Sequence, residues 1–193
     1  MPPFADISWN DGRDNMPGLV GDIYFIPTSE IDIDACTIED DGVSITGNLA
    51  LKAGGRINRI YAIDRSGSVT DENQGDIDGS YSLNTLTWAI PGSTKETAEF
   101  KRLVRNTRGV YIFKDSDFNL RIVGLWAAKN PKWTGPADVT NDQYVLSVEK
   151  PAYTAPSGKH GQSGGDRKDN IITVTCDAPH EPLFYDGVLP SNA

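Results

Sequence analysis

Ser80–Ile90 reads SYSLNTLTWAI and is the longest stretch of the chain with strand character. Aromatic, β-branched and alternating apolar residues of this kind favour a β-strand. The apolar side chains change face along it: Tyr81, Leu83 and Thr85 share one side, and Leu86, Trp88 and Ile90 share the other. Because strand side chains alternate between faces, the change predicts a twist or a bulge near Thr85.

The strand is followed by the clearest helix signal in the sequence. Pro91-Gly92 ends the strand, and Ser93-Thr94-Lys95-Glu96 has the spacing of a capping box, with Ser93 as the cap. An apolar stripe then recurs at helical spacing: Thr97, Phe100, Leu103 and Val104. The sequence predicts a helix over about residues 94–107, ended by Gly109 and packed on a sheet through this stripe.

Short strand patterns, separated by turn-forming residues, lie on both sides of this unit. The predicted strands are Leu19–Ile26, Val43–Leu51, Ile57–Ile63, Val110–Phe113, Leu120–Trp126, Gln143–Val148 and Ile171–Thr175. Val43, Ile45, Leu49 and Leu51 form the predicted buried face of the second of these strands. Asp115–Asn119 has hairpin-turn chemistry, residues 71–79 are a polar connection, and residues 182–188 are a short edge segment. The pattern predicts a mainly β fold of two packed β-sheets, a sandwich or barrel, flanked by one helix.

The domain organisation is simple. An extended N-terminal arm, residues 1–18, precedes one β-rich assembly domain, residues 19–190. Lys150–Asn170 contains four glycines and, apart from proline, only Ala152 and Ala155 as aliphatic residues. Such a composition predicts a long loop at 150–170 that gains order only against a partner.

The charge is negative and uneven. The 193 residues include 27 acidic and 18 basic side chains, a net charge of −9. Residues 1–90 hold fifteen acidic against five basic residues, whereas residues 91–193 hold twelve against thirteen. Tight nucleic-acid binding requires a basic face, so it is not expected. The polar N-terminus does not resemble a secretory signal, and no apolar run has the length of a membrane helix, so we expect an aqueous compartment and no membrane.

The sequence contains no recognisable catalytic constellation. Its two histidines, His160 and His180, lie in loop-like segments and are interpreted as polar loop residues. Cys36 and Cys176 are far apart and form no metal-binding pattern; they are either free buried thiols, which a reducing cytoplasm favours, or a disulfide. We therefore expect no enzymatic activity, cofactor or metal. A calcium turn at residues 76–79 is an alternative to a plain solvated turn.

The four tryptophans divide into two groups. Trp88 and Trp126 fall in predicted strands and are expected in the core, in preference to a sugar site. Trp9 and Trp133 fall in the arm and in a loop, where exposed aromatic residues favour an interface.

Several segments together resemble phage structural proteins. Met16–Val20 (MPGLV) followed by Ile23–Ile26 (IYFI) looks like the opening of Bacteroidetes-type phage structural proteins. The order of elements resembles that of phage tail-tube (major tail) proteins: strand Ser80–Ile90, Pro91-Gly92-Ser93, helix Thr94–Asn106, hairpin Val110–Trp126, and strands Val145–Val148 and Ile171–Thr175. The closing Asp177–Pro179 and Tyr185–Val188 also look like the ending of such proteins.

The resemblance implies a homo-oligomeric ring, usually hexameric, that stacks with others into a tube. Its lumen would conduct genomic DNA without binding it, and an acidic wall fits that role because it repels phosphates. The candidate lumen-facing residues are Asp71, Glu72, Asp76 and Asp78, with the Asp32–Asp41 segment as the alternative. The candidate inter-subunit residues are Trp9, Trp133, Tyr153, Lys159, Arg167 and Lys168. The implied partners are other copies and other tail proteins, and the implied location is the virion tail, after assembly in the host cytoplasm.

Two other classes of function stay open. The chain can be another virion protein, such as a head decoration or a tail terminator, and isolated rings or trimers would indicate this. It can also be a calcium- or sugar-binding β-sandwich module, which predicts a monomer whose melting temperature rises with ligand.

Overall fold

The computed structural model describes residues 18–76, 79–92, 94–129, 144–148, 152–158 and 169–190. It confirms the predicted fold class: 49% of the described residues are in strands and 11% are in helices, so the β-sheets carry the architecture. The arrangement of one large sheet, further sheets and one helix is consistent with a β-sandwich.

Thirteen strands and one α-helix are present in the described residues. They are β1 Ile23–Pro27, β2 Thr37–Ile38, β3 Ser44–Thr46, β4 Asn58–Ile60, β5 Ser68–Gln74, β6 Tyr81–Pro91, α1 Lys95–Val104, β7 Gly109–Lys114, β8 Leu120–Val123, β9 Trp126–Lys129, β10 Tyr144–Ser147, β11 Tyr153–Gly158, β12 Asp169–Ala178 and β13 Leu183–Tyr185. Two short 3₁₀ turns, Thr28–Glu30 and Ile33–Ala35, lie between β1 and β2.

Three sheets form from these strands. A seven-stranded sheet has the order β2-β3-β13-β8-β7-β1-β4, a four-stranded sheet has the order β11-β12-β6-β5, and β9 and β10 form a two-stranded ribbon. Strand β7 shows how they are layered, because Val110, Tyr111, Ile112 and Phe113 are all buried. Tyr111 and Phe113 join a core shared with the four-stranded sheet, whereas Val110 and Ile112 join a second core on the other side.

Strand β6 is paired one-to-one with its neighbours, so the bulge predicted as one alternative near Thr85 is absent. Its pairing with β12 and with β5 continues without interruption through Thr85. The buried face simply continues through a polar residue, Asn84, which is 2% exposed. Its side-chain amide donates to the carbonyl oxygen of His180 at 3.0 Å and its oxygen accepts from the Ser82 hydroxyl at 3.2 Å. These bonds satisfy the amide and allow it to occupy a core position.

Three predictions about other segments are corrected. Residues 71–79 were expected as a polar connection, but β5 covers residues 68–74 and pairs with β6 along its whole length. The expected loop at 150–170 contains strand β11 and the first residues of β12, which pair with each other; residues 159–168 lie outside the described part. The expected edge segment at 182–188 contains β13, which lies inside the seven-stranded sheet between β3 and β8.

The remaining strand predictions hold in position but not in length. Val43–Leu51 contains only the three residues of β3; Ile45 and Leu49 are buried as expected, whereas Val43 is exposed. Leu120–Trp126 divides into β8 and β9 at Gly124, whose φ is +101° and where a Cβ atom would lie 2.6 Å from the Gly109 carbonyl oxygen. A larger residue is therefore strained at this corner on two counts.

The helix is confirmed, with two corrections. The cap is Thr94 and not Ser93, because the Thr94 hydroxyl accepts from the Thr97 backbone N–H at 3.2 Å. The helix ends at Val104, which is buried, while Phe100 contacts the Phe25 ring edge-on at 6.3 Å. Leu103 is 59% exposed and does not join the packed stripe, because a residue one position before Val104 points about 100° away from it.

The hairpin turn predicted between β7 and β8 is confirmed. The Asp115 carboxylate accepts from the backbone N–H groups of Asp117 and Asn119, at 2.9 Å each, and Phe118 has φ +66°. An aspartate that binds the backbone two residues ahead is a common way to fix such a turn.

Candidate assembly surfaces

The four-stranded sheet has one face in the core and one face that points outward. The buried face carries Asn84, Leu86 and Trp88, so the residues between them point the other way. The strand registers extend this assignment to the neighbouring strands. The outward side chains are Ser68, Thr70, Glu72 and Gln74 of β5; Tyr81, Leu83, Thr85, Thr87, Ala89 and Pro91 of β6; Asp169, Ile171, Thr173, Thr175 and Asp177 of β12; and Tyr153, Ala155 and Ser157 of β11. We call this surface the hydroxyl face.

Hydroxyl side chains form two aligned rows at the centre of this face. One row joins Ser68, Thr87 and Thr173, and the other joins Thr70, Thr85 and Thr175. The strands that supply them come from three separate parts of the chain. None of these six residues belongs to either hydrophobic core.

All charged side chains of the hydroxyl face are acidic. Glu72 and Asp177 flank Leu83 on its two sides, and Asp169 lies opposite Pro91 at the other end of the sheet. The face contains no Lys or Arg within the described residues. It therefore offers hydroxyl groups and carboxylates to its surroundings but no cation that could hold a phosphate.

The structure separates the acidic residues that the sequence grouped together. Asp71 and Glu72 are neighbours in β5 and therefore point to opposite faces: Glu72 lies on the hydroxyl face, and Asp71 lies opposite Asn84 on the other side. Both are exposed. Asp76 is exposed in the turn after β5, where its carbonyl oxygen accepts from Gly79. Asp78 lies outside the described residues.

Among the predicted inter-subunit residues, Tyr153 lies in the described structure. It begins β11, is 65% exposed and lies on the hydroxyl face opposite Thr175. The others, Trp9, Trp133, Lys159, Arg167 and Lys168, lie outside the described residues. Its inter-subunit role stays a prediction, with which the exposure of the ring is compatible, since exposed tyrosines are favourable interface anchors.

Within the described residues, the four-stranded sheet has two edges to which no further strand is paired. Strand β5 forms one edge over seven residues, and β11 forms the other. All neighbouring pairs in this sheet are antiparallel, so the two edge strands run in opposite directions. An edge strand presents unpaired backbone groups to any strand that approaches. Pro156 in β11 lacks an N–H group and removes one potential bond from that edge.

His180 has a structural role that the sequence did not indicate. Its Nε2 accepts from the Ala127 backbone N–H at 2.9 Å, and its Nδ1 lies 2.7 Å from the Glu181 carbonyl oxygen. A backbone N–H can only donate, so Nε2 carries no proton and Nδ1 donates to Glu181. His180 thus links β9 to the turn after β12, and its own carbonyl oxygen accepts a hydrogen bond from the Asn84 side-chain amide. Sequence spacing gave no signal of this, because its partners are backbone groups.

Among the described residues, the Tyr111 and Cys36 side chains have hydrogen-bond partners close by, whereas the buried indole Nε1 atoms of Trp88 and Trp126 have none. Burial raises the pKa of the Tyr111 phenol, whose oxygen lies 2.7 Å from the Thr154 hydroxyl. Burial also raises the pKa of the Cys36 thiol, against a hydrogen bond from the Ala50 backbone that lowers it, so the reactive thiolate is disfavoured. Cys36 and Cys176 are not joined by a disulfide; Cys176 is buried, and Cys36 is partly buried.

The tryptophan prediction is confirmed where the chain is described. Trp88 is fully buried, and Trp126 is partly buried and packs against the same core. Neither therefore offers an open surface to a sugar. In the described ranges no group of three or more His, Cys, Asp or Glu side chains could hold a metal ion.

Comparison with known proteins gives no assignment: no protein-family model matches the chain, and no curated protein or solved structure is significantly similar to it. Among the described residues, no helix has the length and apolar character needed to cross a membrane.

Proposed function

We propose that the chain is a virion structural protein, a tail-tube subunit whose copies form stacked rings around a DNA-conducting lumen. Its partners are then other copies and other tail proteins, and genomic DNA passes without specific binding. It is assembled in the host cytoplasm and resides in the virion tail. The chain has no catalytic role in this proposal.

The observation that carries the proposal is the cation-free hydroxyl face. A conduit for DNA must stay hydrated and must not trap phosphates, and positively charged side chains are what trap them. The aligned serine and threonine rows are neutral, and Glu72, Asp169 and Asp177 add only repulsive charge. In this proposal the hydroxyl face lines the lumen. Glu72 therefore faces the lumen, whereas Asp71, on the opposite face of β5, does not.

The open sheet edges support assembly into a closed wall. Because the sheet has four antiparallel strands, its two edge strands, β5 and β11, run in opposite directions. Strand β5 of one copy can therefore pair with β11 of the next copy in antiparallel fashion and continue the sheet. A ring closed in this way leaves no free edge in the sheet, which removes the aggregation hazard of an exposed strand.

Negative-stain microscopy and mass photometry of the purified protein test the assembly. We expect rings and stacked tubes as the concentration rises. Isolated rings or trimers that never stack would instead favour a tail terminator or head decoration. A chain that stays monomeric at every concentration, alone and with other tail proteins, would contradict all virion roles.

A labelling experiment tests the position of the hydroxyl face. Thr85→Cys, in a Cys36→Ser background, is treated with a small maleimide and with a maleimide on a large polymer. In free subunits both reagents should react; in tubes only the small reagent should react, because the polymer cannot enter the lumen. Equal reaction of the polymer in tubes would place Thr85 outside and remove the support for the lumen.

One observation favours a second candidate, a sugar-binding module. Tyr153 and Tyr81 are 65% and 40% exposed on the same hydroxyl-rich face, and aromatic rings beside hydroxyl groups can bind a flat polysaccharide. This candidate predicts a monomer whose melting temperature rises with an insoluble or soluble glucan. Tyr153→Ala should abolish that rise, whereas it should leave the melting temperature of the free protein nearly unchanged.

A further inference from the structure

Besides the hydroxyl face, the described residues form two charged surfaces of opposite sign. The first is a cleft of about 350 Å³ between the end of α1 and the start of β11, lined by residues 104–108 and 152–154. It contains Arg105 and Arg108, both exposed, and no acidic residue. Tyr153 stands at its rim as an exposed ring. We call it the arginine cleft.

The backbone of the arginine cleft is fixed. The Arg108 carbonyl oxygen accepts from both the N–H and the hydroxyl of Thr28, at 3.1 and 3.3 Å. The Thr107 hydroxyl donates to the Leu103 carbonyl oxygen at 2.8 Å. The segment that follows α1 is therefore held in place before any partner arrives, which lowers the entropy cost of binding.

The second surface is the turn between β2 and β3, which we call the acidic turn. Glu39, Asp40 and Asp41 are consecutive and exposed. The Gly42 N–H donates to the Glu39 carbonyl oxygen at 2.9 Å, and Asp41 Oδ1 accepts from the Val43 N–H at 2.8 Å. The turn is thus preorganised, and it presents three carboxylates with the exposed Val43 beside them.

The two surfaces cannot meet within one copy. The acidic turn joins β2 and β3 at one edge of the seven-stranded sheet, and β4 forms the opposite edge. Residues of β4 and α1, including Ile60 and Phe100, line a common groove, so α1 lies at the β4 edge. The arginine cleft itself borders the start of β7, because Arg108 directly precedes Gly109 and Ala152 forms a bridge with Gly109. Strand β7 lies four strand spacings of about 4.8 Å from β2, a distance of about 19 Å.

We propose that the acidic turn of one copy binds in the arginine cleft of the next copy. Guanidinium groups pair with carboxylates through two parallel hydrogen bonds. Among the described residues, the lining of the cleft includes no carboxylate, and the acidic turn includes no cation. The contact is heterologous, since different surfaces meet, and it therefore joins copies head to tail. The proposed contact rests on the proposed function only because both require that copies of the chain associate. The residues of the contact are chosen for their charge and their position in the fold.

Neutral substitutions give the sharpest test, because each removes one half of the contact. Arg105→Gln/Arg108→Gln removes the cleft charge, and Glu39→Gln/Asp40→Asn removes the turn charge. Each variant alone should weaken self-association at least about tenfold, as read by sedimentation velocity. An equimolar mixture of the two variants should form a dimer and no larger species. In this dimer the intact acidic turn of one variant binds the intact arginine cleft of the other, and the two remaining surfaces are both neutralised. Asp64→Asn/Asp186→Asn, which removes two exposed acidic charges elsewhere, should associate like the wild type.

A charge exchange completes the test. The variant Arg105→Glu/Arg108→Glu/Glu39→Lys/Asp40→Lys should recover self-association that each pair of reversals alone destroys. Association of the wild type should also weaken between about 0.1 and 1 M salt, as the Debye length falls from about 10 to 3 Å. Circular dichroism and melting temperature establish that each variant is folded.

The outcomes separate this inference from the proposed function. Tubes that form equally well from both neutral variants would overturn the contact and leave the tail-tube proposal intact. Head-to-tail chains that require these residues but never form rings would support the contact and contradict the tube. A wild type that never associates would overturn both. Binding of a short DNA duplex that is lost with Arg105→Gln/Arg108→Gln, with unchanged self-association, would also overturn the contact.

Discussion

The attachment of α1 to the sheet can be tested with three residues that the sequence treats as one stripe. Val104 is 1% exposed, and Phe100 is half-buried against Phe25, whereas Leu103 is 59% exposed. Substitution by alanine should therefore have three different effects. The sequence stripe alone would predict that all three are costly.

The expected magnitudes follow from burial. Val104→Ala removes two buried methyl groups at about 0.8 kcal/mol each, and the remaining cavity raises the cost to about 1.5–2.5 kcal/mol. A fully buried Phe→Ala change costs about 3–5 kcal/mol, so the half-buried Phe100 should cost about half of that. Leu103→Ala should change the free energy of unfolding by less than about 0.5 kcal/mol, as expected for an exposed site.

Urea unfolding followed by tryptophan fluorescence measures these differences. It should be run at low protein concentration and high salt, because self-association would add concentration-dependent stability. Each kcal/mol should also lower the melting temperature by about 2–4 °C for a domain of this size. If Leu103→Ala costs as much as Val104→Ala, or if Val104→Ala costs nothing, the helix packs through a different face and the reasoning is refuted.

Substitutions at four further positions probe single hydrogen bonds. Thr94→Ala removes the helix cap and should lower the free energy of unfolding by about 1 kcal/mol, as measured with urea. Thr94→Ser retains the hydroxyl and should lower it much less; equal costs of the two substitutions would contradict the cap. The pKa of Glu96 is lowered, chiefly by a hydrogen bond from its own backbone N–H and then by the Thr94 side chain. The ionised carboxylate therefore stabilises the folded state above the ordinary pKa of 4.5, and this contribution is lost as the pH falls through the lowered pKa. Glu96→Gln should therefore flatten the acid limb of the stability–pH curve, and an unchanged slope would count against this. His180→Ala leaves a backbone N–H of β9 unpaired and should cost about 1–3 kcal/mol, which wild-type-like unfolding would disprove. Thr154→Val should cost a similar amount by isolating the buried Tyr111 hydroxyl, and Thr154→Ser should not.

Local sequence patterns determined the features that depend on neighbouring residues. The helix was found because capping and apolar spacing act within one or two turns. The Asp115–Asn119 turn was found because an aspartate fixes it through backbone groups two to four residues away. Trp88 was placed in the core because alternation along β6 is itself a local property. These signals were sufficient for the mainly β class with one helix.

The same patterns failed where a partner distant in sequence decides the structure. Strand β5 is polar and half-solvated, so its composition resembles a loop, and only pairing with β6 makes it a strand. The proline- and glycine-containing β11 is likewise a strand because β12 lies beside it. Asn84 appeared to interrupt a buried face, but the His180 carbonyl oxygen satisfies it from almost a hundred residues away.

The candidate surfaces belong entirely to the tertiary structure. Ser68, Thr85 and Thr173 are unremarkable in sequence, and only the registers of β5, β6 and β12 bring their segments into two hydroxyl rows. The sequence identified an acidic first half but could not say which carboxylates share a face, because neighbouring residues of one strand point in opposite directions. Likewise, only the strand order separates the acidic turn, at the β2–β3 edge, from the arginine cleft beside β7, and this separation is why we propose a contact between different copies.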